Sequence, residues 1–211
     1  GRHIAALRLE LRARQGKGDG DGVLKLLRQL AKRDALTPEL VRELRAQAHL
    51  ANIAARAKDR EALVTYLRAL PQEELGRRVG LAAAQALIGV GADDVAQSLI
   101  ERLLDAGDGE GWQSELAALY GRLSGGDQTG RIARADAWLR QHPTDAQLLL
   151  ALGRMCRRQR LWGKAKTYLE ASLSVAKTAE AHLELAHLLD QLDQADEANT
   201  HYRALASMDA R

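Results

Sequence analysis

Apolar residues recur at three- and four-residue spacing along nearly the whole chain. That is the period of an amphipathic helix burying one stripe. The pattern breaks where Gly, Asp or Pro cluster, at residues 16–22, 37–38, 57–59, 70–71, 91–94, 106–111, 124–130, 142–143, 160–162 and 192–194. The segments between are mostly 12 to 20 residues long, which predicts about twelve helices. Short connections force such helices onto antiparallel neighbours, so about six helical hairpins follow. Start signals agree with the breaks. Thr37-Pro38-Glu39 predicts an N-cap at Thr37 with proline in the first turn. Thr144-Asp145 and Thr178 stand as polar caps before Leu/Ala runs. Pro71-Gln72-Glu73-Glu74 predicts a helix opening with its acids at the positive end of the dipole.

The hairpins repeat. Leu148-Leu149-Leu150-Ala151-Leu152-Gly153 is followed by Leu161-Trp162-Gly163-Lys164-Ala165 and Tyr168-Leu169. The pattern returns as Leu183-Glu184-Leu185-Ala186, then Ala195-Asp196-Glu197-Ala198 and Tyr202. Gly153 to Ala186 and Ala165 to Ala198 are both 33 residues. Gly153/Ala165, Ala186/Ala198 and Ala84/Ala96 each hold two small residues twelve apart. A helix pair that crosses closely needs Gly or Ala at the contact, because only those let the backbones approach. In these features the chain resembles the tetratricopeptide repeat, with Pro143 at the repeat-terminating position. It departs in lacking the first-helix Trp, whose place Leu149 and His182 take, and in its longer 124–130 loop. Glu61-Ala62, Tyr66 and Pro71 look like half of an earlier, degenerate repeat. The resemblance implies an all-α fold, a right-handed superhelical array of about six antiparallel helix pairs. Residues 1–143 are expected as degenerate hairpins and 144–211 as well-formed repeats, in one continuous solenoid.

Composition supports helix. Phe is absent, aromatics are 3% and Pro numbers 3, whereas strands favour aromatic and β-branched residues. A net charge of +3 over 211 residues does not make a nucleic-acid footprint, and no aromatic platform for bases is visible, so no nucleic-acid partner is expected. A single cysteine, Cys156, excludes an internal disulfide framework. The longest uncharged run, 79–92, is shorter than a membrane span of roughly 20 residues. The chain opens on Gly1 and not Met, so flanking sequence, including any anchor, is expected outside it.

A second resemblance is narrower. The stretch 150–158, the Leu161-Trp162-Gly163-Lys164-Ala165 turn, 168–173 and 180–186 look like the C-terminal region of the proteobacterial HemY family. So do Thr65-Tyr66-Leu67-Arg68-Ala69-Leu70-Pro71 and the run 135–143. The likeness implies a non-catalytic interaction scaffold linked to late haem (porphyrin) biosynthesis, with protein partners among the haem-synthesis enzymes. It also implies association with the bacterial inner membrane through a segment absent from this chain, the present domain being soluble and periplasmic. The alternatives are a haem or tetrapyrrole carrier and a peptide-binding assembly factor outside haem metabolism.

Candidate site residues follow from the repeat register. It puts Arg154, Arg157 and Arg158 on the inner, concave side, where guanidinium groups can grip carboxylates of an acidic peptide or of tetrapyrrole propionates. The competing reading is a solvated face paired to Glu184 and Asp190. His187 is the best single haem-ligand candidate, although haem and metal sites need ligands converging on one point. The six histidines otherwise read as packing or surface residues, and no metal or resident cofactor is expected. Cys156 takes a packing position three after Gly153 and reads as buried and inert. Trp112, Trp138 and Trp162 read as packing aromatics. The Gly-rich stretch 16–22 lacks a Gly-Lys-Ser/Thr ending and is no phosphate loop. No nucleophile–base or paired-carboxylate constellation stands out, so the chain is read as a non-enzyme.

Overall fold

A computed structural model describes residues 2–106 and 111–210. The 106–111 break lies mostly outside these. The described residues form twelve α-helices and no strand. They pair as α1 (Arg2–Gly16) with α2 (Gly20–Ala31), α3 (Pro38–Ala55) with α4 (Arg60–Ala69), and α5 (Arg77–Gly89) with α6 (Asp93–Asp105). Then follow α7 (Ser114–Tyr120) with α8 (Gln128–Gln141), α9 (Ala146–Arg158) with α10 (Trp162–Val175), and α11 (Ala179–Gln191) with α12 (Ala195–Asp209). The expected count of helices and hairpins therefore holds. Among the described residues no helix is long and apolar enough to cross a membrane. The contacts gather into two compact units, residues 1–111 and 112–211. The boundary expected at residue 143 from repeat regularity falls inside the second.

In the first unit α2 packs on α1 and α3, and α5 packs on α3, α4 and α6. Leu7 and Leu11 of α1 meet Val23, Leu24, Leu27 and Leu30 of α2 and Leu44 and Ala48 of α3 in one apolar core. Two sequence expectations need correction here. The Gly-rich stretch is only partly a loop: α2 begins at Gly20, capped by Asp19, whose carboxylate accepts from the Gly22 amide at 2.9 Å. Gly20 serves packing, because a Cβ there would stand 2.5 Å from the Ala48 carbonyl oxygen. The run at Pro71 opens only a single 3-10 turn over Gln72–Glu74, and α5 starts later. Leu75 is buried directly after that turn, and Glu74 is drawn inward by the contacts described below. Thr37, by contrast, caps α3 as predicted, with its hydroxyl accepting from the Leu40 amide.

In the second unit α9 is central. It packs on α7, α8, α10 and α11 and buries eight of its thirteen residues, which explains its unbroken Leu/Ala run. The small-residue pairs stand where the helices cross: Ala165, Ala186 and Ala198 are fully buried, and a Cβ on Gly153 would meet Leu169 Cδ2 at 2.4 Å. Ala96, Ala165 and Ala198 each lie four residues after their helix's N-cap. At the same register in α8 stands Arg131, 2% exposed. The reason is the short α7, which stops at Tyr120. The first helix does not continue past the crossing, and the Arg131 guanidinium reaches into that space to donate to the Gly125 carbonyl. The long 124–130 loop and the buried arginine are two sides of one departure from the repeat.

Candidate functional site

The arginines named from sequence converge on the face made by α7, α9 and α11. Glu184, on α11, lies between two of them: Arg154 Nε donates to Oε1 at 3.0 Å, and Arg157 Nε and Nη2 approach Oε2 at 3.1 and 3.0 Å. Arg157 Nη1 reaches the Gln191 amide oxygen at 3.3 Å. Arg158 turns the other way. It donates to the carbonyls of Gly121 and Leu123, closing the C-terminal end of α7, where a cation meets the negative end of the helix dipole. Burial lowers its pKa below the ordinary guanidinium value, though it stays charged. These groups, with exposed Arg122, line a cleft of about 380 Å³. Four guanidinium groups face one carboxylate, leaving three positive charges, as many as the formal net charge of the whole chain.

The pairing to Glu184 anticipated from sequence is present, whereas Asp190 accepts from the Tyr202 hydroxyl at 2.7 Å instead. His187 is exposed and lies 6.3 Å from the Tyr202 ring, centroid to centroid. It does not line the arginine cleft. Cys156 is fully buried and burial pushes its thiol pKa up, which leaves little thiolate. Trp112 and Trp138 pack edge to face at 5.9 Å, Tyr120 meets Trp138 at 4.9 Å, and His142 stacks on Trp112 at 4.1 Å. This aromatic cluster is tied to α9 through Asp145. The Asp145 carboxylate accepts from Trp112 Nε1, from the Ser114 hydroxyl at 2.5 Å, and from the Gln147 and Leu148 amides at 3.0 Å each. Burial pushes its carboxyl up, and the four donors outweigh that and hold it below the usual range.

Sequence reasoning missed a polar chain in the first unit, buried at its centre. The Asn52 amide donates to the Tyr66 hydroxyl at 3.1 Å and to Asp21 at 3.1 Å. Tyr66 Oη lies 2.6 Å from His49 Nδ1, and His49 Nε2 lies 3.0 Å from Glu74, which Arg45 also holds. The arrangement fixes the roles: the phenol donates to Nδ1, and Nε2–H donates to the carboxylate. Arg56 sits 4.5 Å over the Tyr66 ring, in cation–π range. His49 is 4% exposed, and burial lowers its pKa despite the neighbouring carboxylate. Burial pushes the Glu74 carboxyl up, but Arg45 and His49 draw it below its ordinary value. A signal for this cluster existed in the sequence. His49 and Asn52 interrupt the stripe Leu44, Ala48, Ile53 at core spacing, and a polar side chain in a core stripe needs a partner.

No family model matches the chain, and no curated protein matches it. Among solved structures it is similar to MamA of AMB-1, at 18% identity over 80% of this chain and 93% of that one, with a TM-score of 0.46. MamA of MSR-1 is similar at 15% identity over 100% of this chain and 99% of that one, with a TM-score of 0.47.

Proposed function

We propose that this chain is a non-catalytic interaction scaffold of tetratricopeptide type, and that the cleft between α7, α9 and α11 receives a carboxylate-bearing segment of a protein partner. The observation that supports this is the excess of three positive charges in one open cleft of a chain whose net charge is no larger. Arg154 and Arg157 already donate to one carboxylate between them, that of Glu184. A partner carboxylate can join them from the side of Arg122 or take the place of Glu184. Guanidinium groups suit this role because their planar fork binds carboxylates in two-point contact. Arg158 contributes charge and holds the cleft wall through α7.

The test is binding of an Asp/Glu-rich peptide by fluorescence anisotropy, beside capture of partners from the native source. Arg122→Glu with Arg157→Glu is expected to abolish binding, and added salt is expected to weaken it. Glu184→Gln is expected to tighten it. Binding that ignores all three changes would remove the cleft from the proposal. The finer assignment, to partners in haem biosynthesis at a bacterial inner membrane with this domain periplasmic, is supported only by the sequence resemblance of the Leu161–Ala165 turn with its flanking segments and of residues 65–71 and 135–143. Recovery of haem-synthesis enzymes in that capture would bear on it directly. The non-catalytic reading is supported by the absence of a reactive constellation from the sequence.

A further inference from the structure

His182 of α11 and His201 of α12 face each other across the last hairpin. Their Nδ1 atoms are 2.9 Å apart, with ring centroids at 5.2 Å and planes at 41°. The preceding repeat shows what these positions ordinarily hold. Thirty-three residues earlier stand Leu149, buried, and Tyr168, whose hydroxyl donates to Asp136. The preceding hairpin carries a leucine and a tyrosine at this register, and the last one carries two imidazoles.

We propose that His182 and His201 form a two-histidine site for a divalent cation of the copper or nickel kind, bound through both Nδ1 atoms. The 2.9 Å separation is that of the hydrogen-bonded, metal-free pair. Two nitrogens at about 2.0–2.1 Å from one metal lie about 2.9–3.3 Å apart, so a small turn of the rings lets both Nδ1 atoms reach one ion. Imidazole nitrogens with open positions left for water suit Cu²⁺ and Ni²⁺, which such ligands bind strongly. Both rings are half-buried, so water can complete the remaining corners. Burial lowers the pKa of both, which keeps the rings neutral at pH 7 as ligation requires. Without metal, one Nδ1–H donates to the other Nδ1. Binding moves that proton to Nε2 of the same ring, so no charge is lost. The neighbouring charges are Lys177 beside His182, which disfavours a cation, and Glu170 and Glu197 beside His201, which favour one. Lys166 shares both glutamates at 3.9 and 3.6 Å. Glu197 is one helical turn from His201 on the same face.

The test is titration of the full chain with Cu²⁺ and with Ni²⁺ by calorimetry, with electron paramagnetic resonance of the copper form. All proteins carry His3→Ala, which removes a competing imidazole near the amino terminus. The comparison is the double variant His182→Leu with His201→Tyr, which copies the preceding repeat and retains the packing. One equivalent of Cu²⁺ with coupling to two nitrogens, lost in that variant at unchanged helicity, is the expected result. Absence of saturable binding, or binding of equal strength in the variant, would overturn the proposal and leave the pair as an ordinary hydrogen bond. A site that takes Zn²⁺ in preference to Cu²⁺ and Ni²⁺ would overturn the choice of ion.

Discussion

The small-residue crossings give the sharpest test of how the second unit is built. Three glycines of that unit differ in what a methyl group would meet. At Gly163, the second residue of α10, an added Cβ has nothing within 4 Å. At Gly153 it meets Leu169 Cδ2 at 2.4 Å and Cγ at 2.6 Å, both in a fully buried side chain. At Gly121, just past α7, it meets the Ala151 Cα at 2.7 Å, which is backbone of α9 and cannot rotate aside. Replacing helical Gly by Ala contributes about 1 kcal/mol through propensity, whereas overpacking a core costs about 1–3 kcal/mol. Gly163→Ala should therefore stabilise by up to about 1 kcal/mol. Gly153→Ala should fall between neutral and about 2 kcal/mol destabilising, because Leu169 can shift only within a full core. Gly121→Ala should cost about 2 kcal/mol or more, because two helices must separate. The assay is urea unfolding followed by tryptophan fluorescence. Trp112, Trp138 and Trp162 are the chain's three tryptophans and all lie in the second unit, so the signal reports that unit alone. With a urea dependence near 2 kcal/mol/M, a 2 kcal/mol loss moves the midpoint by about 1 M. The reasoning fails if Gly121→Ala unfolds with the wild type, or if Gly163→Ala loses as much as Gly121→Ala.

Three other outcomes follow from the structure. Asp145→Ala removes the cap of α9 and the shared acceptor of Trp112 and Ser114; a loss of about 2–4 kcal/mol is expected from the cap and the orphaned donors, seen in the same urea assay. His49 has a folded pKa below its ordinary 6.5, so its unfolded form takes up the proton first. Stability is then complete above pH 6.5 and declines as pH falls from there toward the folded value, and thermal melts of His49→Gln should show a flatter slope over that window. Cys156 should resist a thiol reagent in the native state and react on unfolding; rapid native labelling would contradict its burial.

Most of the helical framework was legible in the sequence because it rests on local rules. Thr37 and Thr178 cap helices where a threonine precedes an apolar run, and the 33-residue displacement marked two crossings before any coordinate. What was not legible depended on distant partners. Gly20 looked like a loop residue because its neighbours are glycine and aspartate, and only the approach of the Ala48 carbonyl explains it. The acids after Pro71 looked like a helix start because Glu74 gives no sign, by itself, that His49 and Arg45 wait on another helix. Register put Arg154 and Arg157 on one face of α9, and both pair there with Glu184. Arg158 sits one residue further round and, from the cleft wall, donates to the carbonyls at the end of α7 and not to Glu184, a difference that side-chain direction along a helix decides. Arg131 occupies a position that takes alanine in α6, α10 and α12, and its register became visible only once α7 proved short.

The polar chain from Asp21 through Asn52, Tyr66 and His49 to Glu74 and Arg45 spans α2, α3, α4 and the turn before α5. Stacked hairpins that touch only their nearest neighbours tend to fray from an end, one pair at a time. Here the end pair cannot peel away without cutting a hydrogen-bond relay that runs into the third hairpin. Asp21 at the outer end is exposed to water, whereas His49 and Asn52 are buried and lose their partners only at a cost. Residues 2–106 should accordingly melt in a single sharp step, and amide exchange in α2, α3 and α4 should share one opening free energy instead of rising stepwise from the amino end.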